Sequence, residues 1–272
     1  MEETMTTLLH RRHTRDQLNV LIDSAPFDLV ALSDDHRRSL TTRFRAVANT
    51  EHQRLDAWSV ERAGQMSAPF HWRPNTARRT IGNAALRRCG SQPAISIGDA
   101  VRDEVDDLLL RAASGYARAG SLAYWLCGLS HPVLGLVNAD AVNWATQLME
   151  TADGLTHPWQ VPASDTYYDV ATARTTLRGR RDLVVSRDES RIILRVRAGA
   201  PGKSAGPGLR ADMTIDALSH LEGVAAARII GVWPEAGVVL CVDGTMADLR
   251  AGARDLVRTA VVQRRGRMAL AA

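Results

Sequence analysis

The chain has 272 residues, of which 45% are hydrophobic and 24% charged, and its formal net charge at pH 7 is +4. This composition excludes a disordered chain, and the length allows one large domain or two small ones. No apolar run reaches the length of a membrane span, and the first residues form no apolar signal core. Three widely spaced cysteines fit free thiols in a reducing compartment. We therefore expect a cytoplasmic protein without a membrane partner.

Positive charge is concentrated from residue 171 onward. That part of the sequence holds 17 Arg and Lys against 10 Asp and Glu, a net charge of +7, which leaves −3 for the rest. A basic segment suits a polyanionic partner. Lys203 is the only lysine in the chain, so the arginine bias also fits GC-rich coding. A solvated arginine-rich surface is the alternative that charge alone leaves open.

The first 92 residues are predicted to form a helical N-terminal region, separate from a second domain over residues 93–272. Within residues 5–65, the apolar residues Leu40, Phe44 and Val47 recur at helical spacing. Pro74 suits the first turn of a further helix that runs to residue 88. An amphipathic helix near residues 97–109 and two more near 117–129 and 133–151 follow.

Two predicted strands carry the candidate site. Residues 177–185 and 191–199 are rich in Leu, Ile and Val and flank a polar turn, which predicts a hairpin. Because side chains alternate between the two faces of a strand, Asp182 is expected on the face that carries Arg195 and Arg197. Asp182 is further expected within ion-pair reach of at least one of them.

The remaining pattern predicts a loop, a helix over residues 209–221, strands over 228–233 and 238–242, and a final helix from residue 245. The loop contains Gly202-Lys203-Ser204, but no glycine stands at the offset that a phosphate-binding P-loop requires, and Pro201 removes a backbone donor. The loop is therefore not predicted to bind a nucleotide.

The order and spacing of these elements resemble the RecB-like branch of the PD-(D/E)XK nuclease superfamily. Gly179-Arg180-Arg181-Asp182 matches the glycine and the metal-binding aspartate of the family, and Arg195 and Arg197 stand in frame at its acid and lysine positions. Asp212 and Asp216 have the spacing of the family's Gln-x-x-x-Tyr motif. Gly98 and Arg102 have the spacing of its upstream Gly and His. The resemblance covers about residues 95–265.

The resemblance implies an α/β fold, with a nuclease-type core around a central mixed sheet that follows the helical N-terminal region. In the family, the carboxylates hold Mg²⁺ or Mn²⁺ and the lysine helps to activate water. A guanidinium can neither coordinate a metal nor accept a proton from water. Asp182 would be the only remaining ligand, so we expect no metal and no catalytic residue.

The arginines have two possible roles. They can hold phosphate through charge-assisted bonds, for which the candidates are Arg178, Arg180, Arg195 and Arg197. Arg195 and Arg197 can instead pair with Asp182 and close the remnant site.

The resemblance favours a non-catalytic protein that binds nucleic acid, DNA before RNA, or that acts in DNA repair. One alternative is an active nuclease that uses Mg²⁺ or Mn²⁺, with Asp212 or Asp216 as a relocated ligand. The other is a protein-interaction module that uses the fold as a scaffold.

Overall fold

A computed structural model describes residues 15–47, 52–63, 71–171 and 173–271. The contacts between residues divide the chain into two compact units, Met1–Ser67 with Gly154–Ala272, and Ala68–Asp153. The boundary predicted at residue 92 falls inside the second unit. Residues 1–14, 48–51 and 64–70 of the predicted N-terminal region lie outside the described residues.

The helices of the described ranges are, in chain order, α1 (residues 15–23), α2 (Asp34–Val47), α3 (Ala57–Glu61), α4 (Pro74–Ser91), α5 (Ile97–Ala113), α6 (Leu122–Cys127), α7 (His131–Ala152), α8 (Ala205–Ser219) and α9 (Met246–Ala271). The strands are β1 (Gln53–Asp56), β2 (Trp159–Gln160), β3 (Thr166–Val170), β4 (Thr175–Gly179), β5 (Leu183–Arg187), β6 (Ser190–Val196), β7 (Arg228–Trp233) and β8 (Val238–Asp243). Within these ranges, no helix combines the length and the hydropathy needed to cross a membrane.

The second unit is a bundle of α4, α5, α6 and α7. Ser96 and Ser121 cap α5 and α6, because their hydroxyls accept the backbone N–H groups of Asp99 and Tyr124. Pro74 occupies the first turn of α4, as predicted. Trp144 of α7 is buried and its indole N–H donates to Asn83, which makes it an anchor of this core.

The described strands of the first unit form two sheets. One has the order β1-β4-β3, with β1 parallel and β3 antiparallel to β4. The other has the order β2-β5-β6-β7-β8, in which β6 and β7 are parallel and the other neighbours antiparallel. A mixed α/β fold with a mixed sheet is therefore confirmed.

Helix α8 lies at the centre of the first unit. It connects the parallel strands β6 and β7, packs against α9 and α3, and contacts strands of both sheets. Leu209, Met213 and Ile215 of α8 share one buried core with Leu177 of β4 and Leu249 of α9. Side chains that project from α8, polar ones included, are consequently held in a solvent-poor interior.

The strand predicted over residues 177–185 is wrong as a single strand. The chain leaves one sheet after Gly179 and enters the other at Leu183. Between them the backbone N–H of Arg180 donates to the Asp212 carboxylate and that of Asp182 donates to the carbonyl of Leu194. These amides therefore bond to α8 and β6 instead of continuing the ladder of β4.

The predicted helical region also contains a strand. Gln53–Asp56 forms β1, which pairs in parallel with β4 over four residues, so that Leu55 lies opposite Leu177. Asp56 then caps α3: its carboxylate accepts the backbone N–H of Ser59, and the Ser59 hydroxyl accepts the N–H of Asp56. This turn directs α3 and its last residue, Glu61, towards α8.

Candidate functional site

The candidate site is a group of seven charged side chains in the first unit, which we call the arginine–carboxylate cluster. Its members come from the ends of β1 and α3, the 180–182 connection, the end of β6 and helix α8. They are Asp56, Glu61, Arg180, Asp182, Arg195, Arg197 and Asp212.

Arg195 lies at the centre of the cluster. Its Nε is 3.6 Å from Oδ2 of Asp182, and its Nη1 forms an ion pair with Oδ2 of Asp212. All three residues are buried, with exposed fractions of 6% for Arg195, 1% for Asp182 and 2% for Asp212. The prediction that Asp182 lies within ion-pair reach of Arg195 is confirmed.

Backbone amides fix the two carboxylates. Oδ2 of Asp182 accepts the N–H of Val196 at 3.0 Å, and Oδ1 of Asp212 accepts the N–H of Arg180 at 3.3 Å. Because the amides come from β6 and from the 180–182 connection, the folded backbone sets the positions of both carboxylates.

Arg197 forms a further ion pair of the cluster. Both of its terminal nitrogens donate to the two carboxylate oxygens of Glu61, in the fork geometry that suits a guanidinium. The guanidinium carbon also lies 5.5 Å from the centroid of the Trp233 ring. On its other side, Glu61 packs against Gly208 of α8, where a Cβ atom would overlap the carboxylate.

The other two predicted phosphate ligands also have carboxylate partners. Arg178 donates from Nε and Nη2 to Oδ2 of Asp165, at 2.9 and 2.5 Å. Nη2 of Arg180 lies 3.3 Å from Oδ2 of Asp56. Each of the four predicted arginines therefore forms an ion pair inside the protein. Their contact with phosphate stays a prediction.

The two candidates for a relocated metal ligand separate in the structure. Asp212 joins the cluster, whereas Asp216 pairs with Arg191 at 2.7 Å and accepts the backbone N–H of Ala226 at 3.0 Å. His220 lies 3.9 Å from Asp216. Burial, together with the positive charge of Arg191, lowers the pKa of His220. Asp216 therefore belongs to a separate arginine–histidine group.

The upstream motif Gly98–Arg102 lies on α5 of the second unit. Arg102 is exposed there and pairs with Asp99 one turn earlier on the same helix, at 3.0 Å. A neighbouring acidic group on α5, which includes Glu104 and Asp107, surrounds Arg88 of α4. Arg102 and the acidic group of α5 therefore both have oppositely charged partners within the second unit.

Sequence reasoning missed Glu61. Its ion pair with Arg197 joins residues 136 positions apart, and a short helix after a four-residue strand gives no periodic signal. The nearest local signal is the capping box of Asp56 and Ser59, which marks the start of α3.

The centre of the cluster holds a guanidinium between two carboxylates. The guanidinium of Arg195 stays protonated and lies against one oxygen of each carboxylate, Oδ2 of Asp182 and Oδ2 of Asp212. Among the residues that the structure describes, no group of three or more His, Cys, Asp or Glu side chains is arranged to hold a metal. Removal of the guanidinium would leave two buried carboxylates without their cation, a costly state.

No protein-family model matches the chain, and a comparison with curated proteins finds no match. The PD-(D/E)XK resemblance consequently rests on the order and spacing of residues alone.

Proposed function

We propose that this chain is a non-catalytic, nucleic-acid-binding protein built on a degenerate RecB-like PD-(D/E)XK core. DNA is the partner expected first, and a role in DNA repair is the expected context. The observation that carries the proposal is the placement of the Arg195 guanidinium between Asp182 and Asp212.

That placement supports the interpretation that the Arg195 guanidinium has replaced a bound metal ion as the cation between the two carboxylates. In the nuclease family the resemblance implies a divalent metal held by carboxylates at this point of the fold. Here a side chain of the protein provides the positive charge. The guanidinium is permanently charged and cannot generate hydroxide from water as a bound metal ion can. The site therefore favours a structural role over a catalytic one.

Support for a nucleic-acid partner comes from α9. Arg250, Arg254 and Arg258 recur at four-residue spacing and are exposed, so they form one row along the helix. Arg250 contacts His36 at 3.1 Å, and Arg258 lies 4.0 Å from Asp255. Such a row of guanidinium groups suits the regularly spaced phosphates of a polyanion.

The test is the salt dependence of DNA binding, measured by anisotropy of labelled single-stranded and duplex oligonucleotides. Affinity should fall steeply between about 50 and 200 mM salt. Replacement of Arg250, Arg254 and Arg258 by Gln should flatten the duplex salt slope by about 2–3 units, the change expected for two or three lost phosphate contacts. A matched control replaces Arg111 and Arg118, exposed arginines of the second unit, and should leave the slope unchanged.

A folded wild-type protein that binds neither oligonucleotide at low salt would contradict the proposal. That outcome would favour the protein-interaction module, for which the fold serves as a scaffold. Equal effects of the α9 and control replacements would remove α9 as the contact surface.

The position of Asp212 favours one second candidate, an active nuclease dependent on Mg²⁺ or Mn²⁺. Asp212 and Asp182 reach the same guanidinium, so the two carboxylates would face one ion if Arg195 moved away. Incubation with linear, circular and single-stranded DNA in Mg²⁺ or Mn²⁺ distinguishes the two functions. Cutting that is lost in both Asp182→Ala and Asp212→Ala would establish this candidate, whereas intact DNA supports the non-catalytic protein.

A further inference from the structure

The outer face of the sheet β1-β4-β3 carries an exposed aromatic ring between two arginines. Leu55, Leu177 and Val170 point into the core from the opposite face. The alternation of the strands therefore places Arg54 and Tyr167 on the outer face, where both are exposed, Tyr167 by 45%.

Pairing between the strands brings these side chains together. Tyr167 of β3 lies in register with Arg178 of β4, and Arg54 of β1 lies in register with Thr176 of β4. The guanidinium carbons of Arg54 and Arg178 are each 5.7 Å from the centroid of the Tyr167 ring.

The two arginines have different roles around the ring. Two hydrogen bonds to Asp165 fix the guanidinium of Arg178 and balance its charge. Arg178 can therefore position the ring of Tyr167. Arg54 is exposed, its guanidinium lies over the ring, and it forms no ion pair with another described residue. The carboxylate of the neighbouring Asp169 accepts a hydrogen bond from the Thr176 hydroxyl, at 2.6 Å. Arg54 is consequently the cation of this face that can meet a phosphate.

A second pair of the same kind follows β1. Trp58, 52% exposed, stands two residues after Asp56, which lies in register with Arg178. The Arg62 guanidinium carbon is 5.0 Å from the Trp58 ring. Two exposed rings, each accompanied by an arginine, therefore occur around the same end of β1.

We infer that the outer face of β1-β4-β3 is a stacking surface for single-stranded nucleic acid, with Tyr167 as the platform for a base and Arg54 as a phosphate contact. The inference rests on the proposed function and assigns a surface and a strand preference to it. Aromatic rings on a sheet stack with bases that are unpaired, and arginine beside them neutralises the backbone. Paired bases of a duplex do not offer their faces to a ring that projects from a flat sheet.

The test compares binding of a labelled oligothymidylate and of a duplex by the full chain. Tyr167→Ala should weaken binding of the single strand by about 5- to 150-fold, the range for loss of one stacked base. Tyr167→Phe should retain affinity, since stacking needs the ring and not the hydroxyl. Arg54→Gln should flatten the salt slope for the single strand by about 0.7 units. Tyr116→Ala replaces a more exposed tyrosine of the second unit and should change nothing.

The outcomes distinguish a failure of the stacking surface from a failure of the proposed function. If the wild type binds the single strand and folded Tyr167→Ala and Arg54→Gln bind it equally well, the stacking surface is wrong while the proposed function stands. If Tyr167→Ala weakens duplex binding as much as single-strand binding, the strand preference is wrong. If the wild type binds neither oligonucleotide, the proposed function fails and the inference fails with it. Should Tyr167→Ala not fold, Arg54→Gln gives the answer, because an unchanged salt slope for the single strand would contradict the surface.

Discussion

Nε of Arg195 lies 3.6 Å from Oδ2 of Asp182, and the two residues face each other where the β5–β6 hairpin opens. The register places Leu183 opposite Leu194, so Asp182 and Arg195 are the next residues along. The pairing joins Asp182, which matches the aspartate of the resemblance, to Arg195, which stands where the resemblance implies a second acid.

Loss of the Arg195 side chain should destabilise the fold. Arg195→Ala leaves Asp182 and Asp212 buried without their cation, and breaking a buried pair in this way costs about 3–5 kcal/mol. The free energy of unfolding from urea titrations measures the effect. Arg254→Ala, on the exposed face of α9, serves as the control and should stay within about 0.5 kcal/mol of wild type. Similar values for the two variants would show that the cluster contributes nothing to stability.

Divalent metal should stabilise the Arg195→Ala protein and not the wild type. The two carboxylates left by the substitution can supply oxygen ligands, and water can complete the shell of Mn²⁺ or Mg²⁺. A metal concentration of about 100 times the dissociation constant adds about 2.7 kcal/mol to stability. Melting temperatures with and without Mn²⁺ report this gain.

The control for that experiment is Arg195→Ala combined with Asp212→Asn, which removes one carboxylate charge and should abolish the gain. A rise in the melting temperature of the wild type, lost in Asp182→Asn, would mean that the natural site already accepts metal.

Two glycines of α8 should respond to alanine in opposite directions. A Cβ at position 208 would overlap Glu61 and displace it from Arg197, so Gly208→Ala should destabilise the protein by about 1–3 kcal/mol. At position 206 the nearest atom to such a Cβ is the end of the Arg210 side chain at 4.0 Å. Gly206→Ala should therefore be neutral or stabilise by up to about 1 kcal/mol. Equal destabilisation in thermal melts would indicate that the packing of Glu61 on Gly208 is unimportant.

Acidification should destabilise the protein partly through His220. Burial, with the positive charge of Arg191, lowers the pKa of His220 in the folded state below its ordinary 6.5. The unfolded chain therefore binds the proton first, and stability falls as the pH drops below about 6.5. His220→Gln should show a smaller decrease in melting temperature between pH 7.5 and 5.5 than wild type does. An identical decrease would show that His220 does not contribute to the acid sensitivity.

The hairpin and the Asp182–Arg195 pair could be predicted because their signals are local. Runs of Leu, Ile and Val identify β5 and β6, and the two-residue turn at Asp188 and Glu189 fixes the register. Asp188 adopts a positive φ of 51°, which aspartate tolerates in such turns.

Other features could not be predicted because tertiary contacts determine them. Arg180, Arg181 and Asp182 interrupt the apolar pattern, but a run of three charged residues does not reveal that the chain passes from one sheet to the other there. The four residues of β1 include one buried aliphatic side chain, Leu55, which is too little for a periodic pattern. Glu61 acquires its role from Arg197, far along the chain.

The central claim is that the protein binds nucleic acid without cutting it, since Arg195 stands where the resemblance implies a metal. An electrophoretic shift series with single- and double-stranded DNA, run with and without Mn²⁺, tests both parts on the wild-type protein. The account predicts shifted bands that weaken as salt rises, with the DNA recovered intact in either condition. Shortened DNA that depends on Mn²⁺, or full-length DNA that never shifts at low salt, would contradict it.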